Sequence, residues 1–224
     1  MPLKLFITGT DTNIGKTYIS IGLLNGLNKH GYVTLGLKPI ASGCDLIEGK
    51  LYNGDALELQ KASSFKLKYD QINPFRFKDP IAPHIAAKRH GVELTKEAVI
   101  QKLNETFLKL ADIYLIEGAG GWAVPLNDNE LMADMVLSIG AKVILVIGIK
   151  LGCLNHAILT AEFIKNSGVD LVGWIANIIN PDMIELDENI MALKQWIKSP
   201  CLGIVPFNGL PEDYIELKKI KNCL

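Results

Sequence analysis

Six short apolar runs, most of them separated by helical patterns, limit what this chain can fold into. The runs are Leu3–Thr8, Val33–Lys38, Ile113–Glu117, Val143–Ile149, Leu171–Ile178 and Leu202–Val205. Helical periodicity falls at Gly15–Lys29, Thr95–Ala111, Leu131–Ser138, Cys153–Asn166 and Ile184–Ile197. Strands alternating with helices argue for an α/β fold: a mostly parallel β-sheet with helices on both faces. Ile113–Ile116 and Val143–Ile147 are continuously apolar, as central strands buried on both sides should be. Residues 45–92 break the alternation. They hold a short helix candidate, Asp55–Lys61, and a stretch with Pro74, Pro80 and Pro83. This segment reads as an insertion lying over the ligand edge of the sheet. No repeat, low-complexity tract or linker divides residues 1–224, so one domain is expected.

The first run leads directly into Gly9-Thr-Asp-Thr-Asn-Ile-Gly-Lys-Thr17. Strand, glycine-bounded turn and helix make the layout of a phosphate-binding P-loop. Backbone N–H groups between Gly9 and Lys16 would curl around phosphate oxygens, helped by the positive end of the following helix. Lys16 would bridge the β- and γ-phosphates, and the Thr17 hydroxyl would take one Mg²⁺ position. The strict pattern is G-x-x-x-x-G-K-[ST]. Here Thr10 replaces the first glycine, which sits one residue earlier at Gly9. The predicted fold is therefore of the P-loop NTPase type.

Composition narrows the remaining functions. The chain has 224 residues, 49% hydrophobic, with 23 basic and 24 acidic side chains and a net charge of −1. No single-sign field points to nucleic acid or an anionic membrane. The N-terminus lacks the pattern of a secretory signal, and the apolar run Val143–Ile149 is too short to span a bilayer. Cys44, Cys153, Cys201 and Cys223 form no C-x-x-C pair and read as free thiols of a reducing cytoplasm. His30, His84, His90 and His156 are scattered and read as surface or structural residues.

Ligands in such folds bind beyond the carboxyl ends of the strands. Glu117 ends a buried run beside the P-loop strand and precedes Gly118, Gly120 and Gly121, as a second Mg²⁺ anchor would. Lys38, at another strand end, suits a second cation for a transferring γ-phosphoryl group. By spacing alone, Asp55 reads as the N-cap of the 55–61 helix and Ser42 as a turn residue.

Several segments together resemble the dethiobiotin synthetases of biotin biosynthesis. They are Phe6–Thr17, Lys38-Pro-Ile-Ala-Ser-Gly43, Asn53-Gly-Asp-Ala56, Asn73-Pro-Phe75, Ala82-Pro-His84, Glu117-Gly-Ala-Gly-Gly-Trp122, Val146–Ala157 and Gly173-Trp-Ile-Ala-Asn177. The match runs in order from residue 5 to about 207. The Gly9 spacing is also the family's. The resemblance implies a reaction of 7,8-diaminopelargonic acid, CO₂ and ATP that gives dethiobiotin, ADP and phosphate. A carbamate forms first, then a carbamic–phosphoric anhydride, then the cyclic urea.

The resemblance also implies roles. Thr17, Asp55 and Glu117 would hold Mg²⁺ and phosphates, which overrules the N-cap reading of Asp55. Lys16 and Lys38 would be catalytic, neutralising charge on the γ-phosphoryl group and the carbamate. Thr12 and Ser42 would contact the diamine or its carbamate. Leu151, Gly152, Cys153 and Asn155 would bind the distal carboxylate across a dimer interface, at a helix N-terminus suited to anions. Asn13, Ile14, Gly15, Tyr18, Gly118, Ala119 and Gly120 would line the nucleotide, with Asn177 and Pro206-Phe207-Asn208 at the adenine. Asn13 stands where many members carry Glu, and the match fades after Pro206. Residues 212–224 read as a short solvated terminal helix. A cytoplasmic homodimer acting on small molecules, without nucleic acid or membrane, is the implied setting.

Three other readings compete. A partitioning-type ATPase would switch partners, but such proteins carry an additional lysine early in the loop, and Thr8–Ile14 has none. Amidotransferases of cobalamin synthesis need a glutamine-hydrolysing domain for which 224 residues leave no room. A silent nucleotide binder would not need Lys16, Thr17, Lys38, Asp55 and Glu117 together.

Overall fold

The structure is a computed structural model that describes residues 2–108 and 111–221. In chain order the elements are β1 (Leu3–Gly9), α1 (Lys16–Lys29), β2 (Thr34–Leu37), β3 (Ile40–Ala41), β4 (Asp45–Ile47), β5 (Lys50–Tyr52), α2 (Gly54–Ala62), α3 (Tyr69–Ile72), β6 (Phe75–Arg76) and α4 (Pro83–Arg89). Then follow α5 (Lys96–Phe107), β7 (Ile113–Glu117), α6 (Met132–Ser138), β8 (Lys142–Ile149), α7 (Cys153–Asn166), β9 (Leu171–Ile178), α8 (Leu186–Trp196), β10 (Cys201–Val205), α9 (Pro211–Tyr214) and α10 (Leu217–Lys221).

Among the described residues, six strands form one sheet in the order β10-β9-β8-β1-β7-β2, with every pairing parallel. These are the six expected runs, and the fold is the predicted α/β type. The period-2 alternation of a strand divides the apolar side chains between two cores. Phe6, Tyr114, Ile116, Leu145 and Ile147 join the core under α5–α8. Leu5, Ile7, Leu115, Ile144 and Val146 join the other, packed against Ile19, Leu23, Leu24 and Leu27 of α1. Burying each such side chain contributes about 1.5–3 kcal/mol.

The insertion holds more structure than its composition predicts. β3 pairs with β6, and β4 with β5 in an exposed hairpin turned by Glu48 and Gly49, both at positive φ. Asn53, not Asp55, caps α2: its side chain accepts from the Ala56 N–H, and Asp55 falls in the first turn. The end of the expected 95–111 helix touches residues 109 and 110, which lie outside the described residues, as do residues 222–224 and Cys223. Cys44, Cys153 and Cys201 are free thiols.

The tail corrects the expectation of a solvated terminal helix. It breaks into α9 and α10, and Ile215, Leu217 and Ile220 are buried in the α1 core. Gly22 and Gly26 of α1 make this contact possible. A Cβ on Gly22 would stand 2.4 Å from Pro211 Cβ, and one on Gly26 2.8 Å from a Leu217 methyl.

Candidate functional site

A cleft of about 990 Å³ opens beyond the carboxyl ends of β1, β2 and β7. Its lining includes Thr12, Asn13, Gly15, Lys16 and Thr17 from the loop after β1. Lys38 and Ala41–Gly43 follow β2, Glu117 ends β7, and Ala119–Gly121 and Val124 follow it. The insertion contributes Asn53, Asp55 and Pro80–Pro83. It thus covers the ligand edge, as expected.

Left-handed backbone at Asn13 (φ 57°) and Gly15 (φ 87°) curls the loop after β1. Such curling aims successive backbone N–H groups into one concavity. Gly15 is fixed on two counts. Its φ suits glycine, and a Cβ there would lie 2.2 Å from Asn177 Nδ2. That nitrogen donates to Ile14 O at 2.8 Å, so Asn177 holds the loop from the end of β9.

Lys16 opens α1 and its Nζ donates to the Asp11 carbonyl at 2.9 Å. Burial, and then the charge of Lys38, push its pKa down to about 8. The Asp11 carboxylate accepts from the Thr12 N–H at 2.8 Å and pairs with Lys150 at 3.1 Å. Those two contacts hold it below the usual carboxylate range.

Lys38 is the centre of the charge arrangement. Its Nζ donates to Glu117 Oε1 at 2.6 Å and lies 3.0 Å from Asp55 Oδ2. Thr17 Oγ1 donates to the same Glu117 oxygen at 2.8 Å. Burial alone would lower the Lys38 pKa, but the two carboxylates outweigh it and raise it. Glu117 Oε2 is buried without a hydrogen-bond partner, and so is Ser42 Oγ. A buried polar atom left unmatched costs about 1–3 kcal/mol, and these two belong to residues that line the cleft, where a ligand can supply the missing partner. The oxygens of Thr17, Asp55 and Glu117 are hard donors of the kind a divalent cation takes. Among the described residues no group of three or more His, Cys, Asp and Glu could hold a metal unaided. A cation here would need phosphate and water oxygens to complete its shell.

The other predicted residues fall into three places. Gly118 directly follows β7 with its N–H donated to Ile7 O, and a Cβ there would strike the Phe6 ring, so it packs against the sheet and lies outside the cleft lining. Pro206, Phe207 and Asn208 follow β10, with Phe207 exposed and Tyr18 Oη donating to Gly209 O at 2.6 Å. With Asn177 they lie outside the lining of the main cleft, against the loop and α1. Leu151, Gly152, Cys153 and Asn155 also lie outside that lining. Leu151 is 91% exposed, Gly152 (φ 90°) is the N-cap of α7, and Cys153 is buried at its first turn. Sequence reasoning missed the Asp11–Lys150 pair. Both residues sit inside the matching segments, but their contact joins two strand ends 139 positions apart.

A family model described as an AAA domain matches residues 3–212. The ATP-dependent dethiobiotin synthetase BioD of Cellvibrio japonicus is 48% identical over 90% of this chain and 88% of its own. The protein of that name from Aromatoleum aromaticum is 46% identical over 92% and 91%, and that from Wigglesworthia glossinidia brevipalpis 44% over 96% and 95%. Among solved structures, the septum site-determining protein MinD of Pyrococcus horikoshii superposes with a TM-score of 0.57 at 16% identity, covering 98% of this chain and 89% of that one. FtsY of Thermotoga maritima gives 0.52 at 15% identity, covering 96% and 64%. These two likenesses concern the fold alone.

Proposed function

The chain belongs to the dethiobiotin synthetase family, and we propose that it joins 7,8-diaminopelargonic acid and CO₂, at the expense of ATP, into dethiobiotin. It is an ATP-dependent ligase, and ATP is its co-substrate. One observation carries the site assignment. Lys38 sits between Asp55 and Glu117, and Glu117 also binds Thr17 of the phosphate loop, all in one cleft. The partner-switching ATPase is set aside, because the curated relatives at 44–48% identity carry the synthetase name.

In this reading one substrate amine takes up CO₂ and loses a proton, giving a carbamate. A carbamate oxygen attacks the γ-phosphorus and ADP leaves. The second amine then attacks the carbamoyl carbon of the mixed anhydride, phosphate departs, and the ring closes with loss of the second proton. Little of this asks the protein for covalent chemistry; it asks for alignment and charge. Lys16 leaves the Asp11 carbonyl for the phosphates. Lys38, a buried ammonium kept protonated by its carboxylates, faces the negative charge shared by carbamate and γ-phosphoryl group. The unmatched hydroxyl of Ser42, with Thr12 across the cleft lining, orients the diamine or carbamate.

Thr17, Asp55 and Glu117 would hold Mg²⁺, which when bound neutralises phosphate charge; the buried, unmatched Glu117 Oε2, on the carboxylate whose Oε1 accepts from Thr17, supports the fit. The Leu151–Asn155 turn, outside the lining of its own cleft, suits a role in a partner's site within a cytoplasmic homodimer. Leu151, Leu159 and Phe163 expose apolar surface on that turn and on α7. Asn177 and the 206–208 segment are proposed to border the base.

The test is phosphate release from Mg·ATP and bicarbonate with and without the diamine, together with mass spectrometry of the product. Diamine-dependent phosphate matched one-to-one by dethiobiotin is expected. ATP hydrolysis indifferent to the diamine would overturn the reading.

A further inference from the structure

The Asn73-Pro-Phe75 segment has no role in the chemistry above, yet Asn73 is completely buried and every polar atom of its side chain is engaged. Its Nδ2 donates to the Lys38 carbonyl at 2.6 Å and, at 3.4 Å, lies near the Phe75 carbonyl. Its Oδ1 accepts from Tyr69 Oη at 3.2 Å. Tyr69 Oη in turn accepts from the Asn53 N–H at 2.7 Å. Asn53 caps α2, whose first turn carries Asp55. The chain of bonds has one direction. Two carbonyls take the amide nitrogen, so Oδ1 receives the tyrosine proton, for which it is the nearer acceptor at 3.2 Å against 3.5 Å for the Asn53 carbonyl, and the tyrosine oxygen accepts from the Asn53 N–H.

We infer that Asn73 and Tyr69 are positioning residues that tie the main chain of Lys38 to the start of α2, so that the Lys38 ammonium and the Asp55 carboxylate keep a fixed spacing in the cleft. The link adds a polar tie close to both groups to the apolar packing of α2 beside β2. Lys38 lies past the end of β2 and precedes Pro39, whose nitrogen has no hydrogen to donate. Asp55 lies on a short insertion helix beyond the main sheet. Pro39 O accepts from the Phe75 N–H, and Lys38 N–H donates to Ile72 O, so the 72–75 segment grips both sides of the peptide that Asn73 contacts. Burial raises the Tyr69 pKa, which keeps the phenol a donor. The inference rests on the assignment of Lys38 to the reacting charges.

Tyr69→Phe removes only the hydroxyl, and Asn73→Leu removes both contacts of the amide at similar volume. Loosening a charge by up to an ångström costs catalysis about tenfold to a hundredfold. Tyr69→Phe is therefore expected to lower kcat for diamine-dependent dethiobiotin formation about tenfold. KM for the diamine and the ATP dissociation constant should stay within about twofold. Asn73→Leu should show the same split, more strongly. A packing role alone would lower Tm and the active fraction and leave kcat per folded molecule unchanged. That result for Tyr69→Phe, with its melting point recorded, overturns the inference. Lys38→Ala measured alongside keeps the two claims apart. If the parent turns over and Lys38→Ala is equally active, the assignment of Lys38 is wrong, and the positioning claim falls with it. If Lys38→Ala is inactive and Tyr69→Phe matches the parent, only the positioning claim falls.

Discussion

Lys38 shows how one residue serves both stability and chemistry. Its ammonium is buried between Glu117, fully enclosed, and Asp55, about half exposed. Removing one partner of a buried charge pair costs about 3–5 kcal/mol, so Lys38→Ala is expected to lower stability as well as activity. Loss of a preorganised cation should cut turnover about 10²–10³-fold while ATP affinity changes within about threefold. Calorimetric titration beside steady-state rates checks this, and turnover within about threefold of the parent would refute the role. Lys16 carries a pH signature. In the free protein its pKa is lowered to about 8, so the ammonium is charged below that pH and neutral above it. Phosphate binds the charged form and raises the pKa. Nucleotide affinity should therefore be flat below about pH 8 and fall by up to about tenfold per unit above it, with proton uptake on binding. Titrations in two buffers of different ionisation heat measure that uptake, and Lys16→Met should abolish it. At this scale the place of Lys16, Thr17 and Glu117 at one cleft was legible because their neighbours in sequence form the loop and the strand end. The two unmatched oxygens, Glu117 Oε2 and Ser42 Oγ, were not, because being unmatched depends on everything packed around them.

Among the elements, the six sheet strands were readable because each is a short, mostly apolar run of β-forming residues, and α1 and α5–α8 because their buried positions recur at helical spacing. The two- and three-residue strands β3–β6 carry no such period and exist only through their partners. Asp55 and Asn53 both fit the composition of a cap; backbone geometry chose Asn53, whose φ and ψ are extended. Asn53→Ala should cost about 1 kcal/mol through loss of the cap, seen as a lower denaturant midpoint. The tail was misread because its apolar positions look like one face of an isolated helix. Docked on α1 and β10, they form two short turns instead. Gly22→Ala tests that contact. Alanine favours an isolated helix by about 1 kcal/mol, yet the methyl would meet Pro211 at 2.4 Å. Overpacking of this kind costs about 1–3 kcal/mol, so Tm should fall rather than rise, and a rise would mean that the tail is not seated on α1.

Taken whole, the molecule brings the β1, β2 and β7 ends together at one cleft and leaves the β8–α7 turn beside it, linked through Lys150 and Asp11. If that turn completes a partner's site, a charge on the exposed α7 face should separate the copies. Phe163→Glu is expected to sediment as a monomer and to lose diamine turnover on the order of tenfold or more, with nucleotide binding intact. An unchanged sedimentation coefficient would remove α7 from the interface.

By itself the sequence determined the parallel α/β architecture, the phosphate loop and the reaction family. The first two follow from local order, that is, apolar runs of a given length, glycines at fixed offsets and a strand leading straight into a helix; the reaction family follows from the resemblance of whole segments to the dethiobiotin synthetases. Tertiary structure alone decided which charges face each other. Lys38, Asp55 and Glu117 are separated by 17 and 62 positions in the chain, and meet only because β2 pairs with β7 and α2 packs beside β2. Electrostatic energy falls with distance in space, and the pairing of strands, not the order of residues, sets that distance.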